Sequence, residues 1–398
     1  MKLAILGTDS DVLSLVDAAL AAGHQVVWCG DVRDQDRETL ASALPRFRES
    51  EDWESLLDHR LADAVIVGRG DTHEGFRAEQ LKRLAADIMP VLAVHPIGTS
   101  VLAYYELDMA RHEVHGVLRH YSPAAGSPAV ELLHDWVESG NSSIGAVHQI
   151  VFQRSLADCS RESVVRHLAR DAELLRSVAG GVRSVSAVGP QAAEASYASL
   201  QVQMTGPGVA TIRWAVTPAA KDNAAASLSL VGERGTAVLK FSSTDNRVTT
   251  TVGDSVEEFS TPPFDAPAAA VASLATALPA NGTEQSESAS TWQAATAAME
   301  VVDTIELSLQ KGRTIEVHQQ RLTEQLAFRG TMAAFGCGLL MLMFLLLPLA
   351  GVVGDLFGVR IKQLWPVMLL AVLALFLLMQ ALPWLVKRRS PPDTSDNW

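Results

Sequence analysis

The chain has 398 residues, more than one ordinary core organises, so two or more folding units are expected. Its net charge of −13, with no concentrated Lys/Arg cluster before the C-terminal region, speaks against a nucleic-acid partner, because phosphate binding needs a strongly basic surface. The composition is mixed and acidic through about residue 320 and almost continuously apolar from Gly330 onward, which implies two solvents.

Lys2 to Leu6 reads as a strand, Asp11 to Ala22 as a helix with apolar Val12, Leu15, Val16 and Leu20, and Gln25 to Cys29 as a second strand. Asp63 to Val67 and Met89 to Val94 add buried strands around a helix from Phe76 to Ala86, so a doubly wound parallel sheet is expected to run to about residue 115. A second unit then begins, with a helix from Pro128 to Ser139 and a strand from Ala146 to Gln153. A long helix follows from Glu162 to Val178 and stops at Gly180-Gly181. Strands near 182–188, 196–204, 209–216, 226–231 and 236–241 suggest an antiparallel sheet. The Ala/Pro/Ser-rich stretch from Pro262 to Ser290 reads as irregular, and Ser290-Thr291-Trp292-Gln293 as a capping box opening a last helix that ends at Gly312.

Residues 330–354 and 364–386 carry no charge, and each is long enough to cross a hydrocarbon core of about 30 Å at roughly 1.5 Å per residue. Trp365 and Trp384 stand near the ends of the second run, Arg321 and Arg329 precede the first, and Lys387-Arg388-Arg389 follow the second. Two transmembrane helices with both chain ends in the cytoplasm are expected. Met1-Lys2 runs straight into a strand, so no signal peptide is read, and the scattered Cys29, Cys159 and Cys337 suit a reducing compartment. The organisation expected is a Rossmann-like domain over 1–118, an α+β domain over 119–318, a linker over 319–329, the two spans, and a cytoplasmic tail over 387–398.

The stretches Asp63-Ala64-Val65-Ile66-Val67, Gly140 through Gly145-Ala146-Val147, Val231-Gly232-Glu233-Arg234-Gly235-Thr236 and Lys311-Gly312-Arg313-Thr314-Ile315, in this order, resemble the glucose-fructose oxidoreductase, inositol dehydrogenase and MocA family. The resemblance covers residues 1 to about 318 and implies an NAD(P)-binding domain joined to an open-faced antiparallel sheet, a surface that also offers a route to a homo-oligomer. It implies a GxGxxG turn after the first strand; the turn here reads Gly7-Thr8-Asp9-Ser10-Asp11-Val12 and keeps only Gly7. Asp9 and Asp11 put carboxylates where the cofactor's pyrophosphate would lie, so NAD or NADP binding is expected to be weak or absent. Asp31 matches the acidic ribose contact and also suits a turn cap.

The resemblance further implies a catalytic lysine in a Glu-Lys-Pro motif, where this chain has Val94-His95-Pro96, and an Asp-xxx-His pair on the long helix, where it has Arg166 and Arg170. An imidazole at His95 can exchange protons near neutral pH; arginine cannot act as a general base. His167 lies about 100° around the helix from the expected place. Arg111, His112, His115, Arg119 and His120 cluster where the domains meet, but His112-Glu113-Val114-His115 fits no zinc signature. Arg119, Arg166 and Arg170 together suit a carboxylate or phosphate, or stand as solvated helix arginines. Three readings follow: a membrane-anchored homologue turned to ligand binding, regulation or assembly at the cytoplasmic membrane face, its ligand a small anion or sugar; a working NAD(P)-dependent oxidoreductase acting on a sugar or cyclitol derivative, using His95 with Arg166 or Arg170 for orientation; and a scaffold.

Overall fold

The computed structural model describes residues 1–317 apart from 45–47, 58–60, 125, 141–142, 191–194, 209, 221–224, 242–247 and 279–284, and apart from the side chains of 285–290. These residues belong to one compact unit, Met1–Gln319. Among them no helix is long and apolar enough to cross a membrane. The expected spans at 330–354 and 364–386 lie outside the described residues.

Six parallel strands, β1 (Lys2–Leu6), β2 (Gln25–Gly30), β3 (Arg48–Glu49), β4 (Ala64–Val67), β5 (Val91–Val94) and β6 (Leu118–Tyr121), form a sheet in the order β3-β2-β1-β4-β5-β6. Strands β4 and β5 are buried at every residue, as a sheet covered on both faces requires. Helices α1 (Ser10–Ala21), α2 (Asp34–Ala43), α3 (Glu74–Ala86) and α4 (Val101–Val114) connect the strands. Strand order reverses between β1 and β4, so a crevice opens past Leu6 and Val67, the place where this topology binds ligands. The sixth strand runs to Tyr121, so the expected boundary at 118 falls at its first residue.

The second sheet has nine strands in the order β14-β13-β12-β11-β7-β10-β9-β8-β15. They are β7 (Val147–Leu156), β8 (Ser184–Val188), β9 (Gln201–Thr205), β10 (Thr211–Pro218), β11 (Ala225–Gly232), β12 (Thr236–Phe241), β13 (Val248–Val252), β14 (Ser255–Phe259) and β15 (Ile315–Glu316). The sheet is mixed, which corrects the antiparallel expectation. Helix α6 (Arg161–Ala179) and the β8–β9 hairpin carry the chain back so that β10 lies parallel to β7. Strands β13 and β14, rich in Thr and Glu, gave no apolar alternation to read.

Helix α5 (Pro128–Ser139) matches the sequence reading residue for residue, started by Pro128 and ended at left-handed Gly140. Two later helices correct it. Helix α7 (Ala266–Ala277) occupies part of the stretch read as irregular, and its Val271 and Leu274 complete the core formed by Leu3, Ile5, Val12 and Ile66 of the parallel sheet. Helix α8 spans Gln285–Lys311, so the expected capping box lies inside it. It does more than cover the mixed sheet: it packs on α6 and β8 and also on α4 and β6. Trp292 is fully buried, stacks on Tyr104 with ring centres 5.3 Å apart, and donates its indole N–H to the Tyr104 carbonyl at 3.2 Å. Through it the core of the mixed sheet (Phe152, Trp214, Leu228) continues into that of the parallel sheet (Val65, Val91, Leu118).

Candidate functional site

The β1–α1 turn begins at Gly7, whose backbone has φ +81°, a conformation open to glycine. A Cβ there would stand 2.7 Å from both an Arg77 guanidinium nitrogen and the Gly68 carbonyl oxygen, so only a hydrogen fits. Asp9 is the N-cap of α1: one carboxylate oxygen accepts from the N–H groups of Asp11 at 3.0 Å and Val12 at 2.9 Å, and the other accepts from the Arg69 N–H at 3.1 Å. The N–H groups at the start of α1 and after β4 are therefore satisfied by a side chain of the chain itself.

Asp11 has a different role from the one expected. Its carboxylate points across the crevice and pairs with Arg170 of α6, whose Nε also donates to the His95 carbonyl at 2.7 Å. Arg170 thus ties helix α6 to the segments that follow β1 and β5. Arg166, one turn earlier, donates to Glu162 at 3.0 Å, and Glu162 also receives Arg69 from the loop after β4. Arg119 does not join them; it points to the α7 side of the sheet and bonds Ser273. Among the clustered residues of the domain junction, Arg111 is held by Asp108 at 2.7 Å, and the described residues bring no three His, Cys, Asp or Glu side chains together around a possible metal.

Asp31 follows β2 with a left-handed φ of +51° and forms an ion pair with Arg77 of α3, a side chain only 2 % exposed. Arg77 also donates to Gln80 at 2.9 Å and to the Arg69 carbonyl at 3.2 Å. The acidic ribose contact implied by the resemblance is thus bound to an arginine lying beneath Gly7. Nothing in the sequence marked Arg77, since an arginine on a helix reads as solvated until its partner is known.

His95 is fully buried. Its Nδ1 shares a hydrogen bond of 2.9 Å with the Tyr104 hydroxyl, which also accepts from the Ile97 N–H at 3.0 Å. Enclosure of the ring favours the neutral imidazole. Burial lowers its pKa to about 4; Glu173 opposes this, while His120 and Arg170 reinforce it. The His120 ring stands 5.8 Å from that of His95 and its Nε2 is 2.6 Å from the Glu173 carboxylate. Burial alone would raise the Glu173 pKa, yet His120 beside it, with His95 and Ser122, brings it down to about 2. Glu173 was missed in the sequence, where the one available signal is a charge set among Leu168, Ala172, Leu174 and Leu175. His167 is half-buried near Arg154 and Asp171, and burial lowers its pKa to about 4. Asp171 itself is bound to Arg154 and to the Trp214 indole at 2.8 Å, away from His95.

No protein-family model and no curated protein matches this sequence. Solved structures do match in fold. An oxidoreductase from Thermotoga maritima superposes with a TM-score of 0.63 at 15 % identity over 80 % of this chain and 98 % of its own. An oxidoreductase from Agrobacterium radiobacter, solved with NAD+, L-tartaric acid and magnesium, gives 0.60 at 16 % over 80 % and 98 %. The WlbA dehydrogenase from Bordetella pertussis, solved with NADH and UDP-GlcNAcA, gives 0.60 at 15 % over 79 % and 98 %. The chain is thus similar in fold to oxidoreductases of the glucose-fructose oxidoreductase, inositol dehydrogenase and MocA type, at low sequence identity.

Proposed function

We propose that this protein is a ligand-binding homologue of these oxidoreductases that does not transfer hydride, held at the cytoplasmic face of a membrane by residues 330–354 and 364–386. The observation that carries the reading is Asp9, whose two carboxylate oxygens take three backbone N–H groups where the fold would seat pyrophosphate. A second anion there would meet a fixed negative charge in place of free donors, a penalty of a few tenths to a few kcal/mol on the order set by exposure. Asp31, bound to Arg77, and His95, neutral and enclosed, point the same way. The residues present do not fit NAD(P) in its usual pose.

The rival reading is a dehydrogenase of a sugar or cyclitol derivative. It has the fold in its favour, and two neighbours were solved with nicotinamide cofactors. It requires His95 to exchange a proton with substrate, whereas Nδ1 is taken by Tyr104 and the ring has no exposed surface.

The deciding experiment is calorimetric titration of the full chain in detergent with NAD+, NADH, NADP+ and NADPH. Affinity no better than millimolar is expected, improving in Asp9→Gly/Asp11→Asn without turnover. Micromolar binding by the unmodified protein, with substrate-dependent reduction of the cofactor that disappears in His95→Ala, would establish the dehydrogenase instead.

A further inference from the structure

We propose that the crevice between the parallel sheet and α6 is held shut by an ionic clasp, Arg170–Asp11 at its inner end and Arg69–Glu162 at its outer end, and that loss of the inner pair opens the mouth. The inference rests on the ligand-binding reading above and gives the regulation of that same crevice. The two pairs have opposite polarity: α6 contributes the cation at the inner end and the carboxylate at the outer one. Glu162 and Arg170 stand just over two helical turns apart, about 12 Å along the axis, so α6 is gripped at two separate points of its first half. The other half of the clasp is braced from behind. Asp9 accepts from the N–H of Asp11 at 3.0 Å and from that of Arg69 at 3.1 Å, so one carboxylate fixes both residues that α6 engages, and Arg77 holds the Arg69 carbonyl at 3.2 Å.

The two ends differ in strength. Asp11 and Arg170 are 19 % and 24 % exposed, and Arg170 adds its bond to the His95 carbonyl at 2.7 Å, so the inner pair is little screened. Arg69 and Glu162 are 38 % and 53 % exposed, a setting in which an ion pair contributes little. Arg166 faces both Glu162 and Asp158, so the outer end is balanced in charge and its grip depends on the inner pair. The remaining junction is apolar: α8 packs on both α6 and α4, and Trp292 stacks on Tyr104. Those contacts do not depend on the charge of the clasp residues, so α8 is the fixed side about which the mouth opens.

The width of the mouth is measured by electron–electron double resonance between spin labels on Asp71→Cys, in the β4–α3 loop, and Ala157→Cys, just ahead of α6, both exposed positions. The full chain is used in detergent with Cys29, Cys159 and Cys337 replaced by Ala and with no ligand added, so the outcome is independent of the dinucleotide titration that tests the preceding reading. One narrow distance is expected with the clasp intact. Asp11→Asn and Arg170→Gln should each raise a longer-distance population by about fivefold or more, and the double variant should match the single ones because both break the same pair. Arg69→Gln, or about 1 M NaCl, should widen the distribution less than either. The inference is overturned if neither inner variant differs from the unmodified protein, or if Arg69→Gln opens the mouth more than they do. Asp11→Asn keeps the shape of the side chain, so it decides the matter alone if Arg170→Gln does not fold.

Discussion

Replacing His95 by Asn should flatten the acid side of the stability profile. His95 is enclosed, and its pKa falls from 6.5 to about 4 chiefly through burial. A histidine held neutral in the folded state takes up its proton more readily when unfolded, so its contribution is fully present above pH 6.5 and is lost as the pH falls toward 4. At about 1.4 kcal/mol per pH unit for one proton, the whole displacement is worth about 3 kcal/mol, of which about 2 kcal/mol is spent between pH 7 and pH 4.5. The window is separable from that of Glu173, whose depressed pKa of about 2 leaves its contribution intact down to its ordinary value of 4.5. His167, also lowered to about 4, is common to both proteins and cancels in the comparison. Asparagine keeps a hydrogen-bonding partner for Tyr104 near the position of Nδ1 and carries nothing to titrate. Urea unfolding of the full chain in detergent, followed by fluorescence of the buried Trp28, Trp214 and Trp292, should show the unmodified protein losing about 2 kcal/mol more than His95→Asn between the two pH values. Parallel profiles would mean that the ring is solvated or already charged, and the burial argument would fail.

Arg77→Met should lower stability by about 3 kcal/mol, because it leaves Asp31 without its cation and frees the acceptors at Gln80 and the Arg69 carbonyl; thermal melting should show a clear shift, with Arg77→Lys recovering only part of it. Gly68→Ala should cost about 1–3 kcal/mol, since its Cβ would press on the Val12 side chain and stand 2.7 Å from the Gly7 carbonyl oxygen; a melting temperature unchanged by the substitution would show that the β1 and β4 ends sit farther apart. A cysteine placed after Ser390 should resist reagents confined outside intact cells, because Lys387-Arg388-Arg389 favour a cytoplasmic tail; rapid labelling would reverse the topology.

The sequence made the elements of the parallel sheet legible because each strand there is a short apolar run between turn residues, as with Ala64–Val67 and Val91–Val94. It hid α7, whose run of alanines and Pro267 carries almost no apolar contrast from one face to the other and which is helical because Val271 and Leu274 find the surface of α1. It hid the parallel pairing of β7 with β10, since strand direction depends on the path of the intervening chain and leaves no mark in either strand. In the site, Asp9 was legible because an Asp at a helix start caps it locally, two and three residues away. Arg170–Asp11 and Arg77–Asp31 were not, because their partners are 159 and 46 residues apart and both residue types are common on exposed helices.

The departures from the oxidoreductase pattern are coupled through these contacts, and that coupling bears on what a partial reversion can do. Removing Asp11 to admit an anion at α1 strands Arg170, which stays hydrogen-bonded to the His95 carbonyl with an unmatched charge in the crevice. That charge would attract the incoming phosphates and raise affinity for a reason unrelated to a restored turn. Removing Arg170 strands Asp11 in the same way and makes the crevice more repellent to an anion. Only the double change, Asp11→Asn with Arg170→Gln, isolates the effect of the turn itself. In that background a gain in dinucleotide affinity on adding Asp9→Gly measures what the Asp9 cap withholds. No gain there would place the obstacle in the packing of Val12 against the β4 end and not in charge.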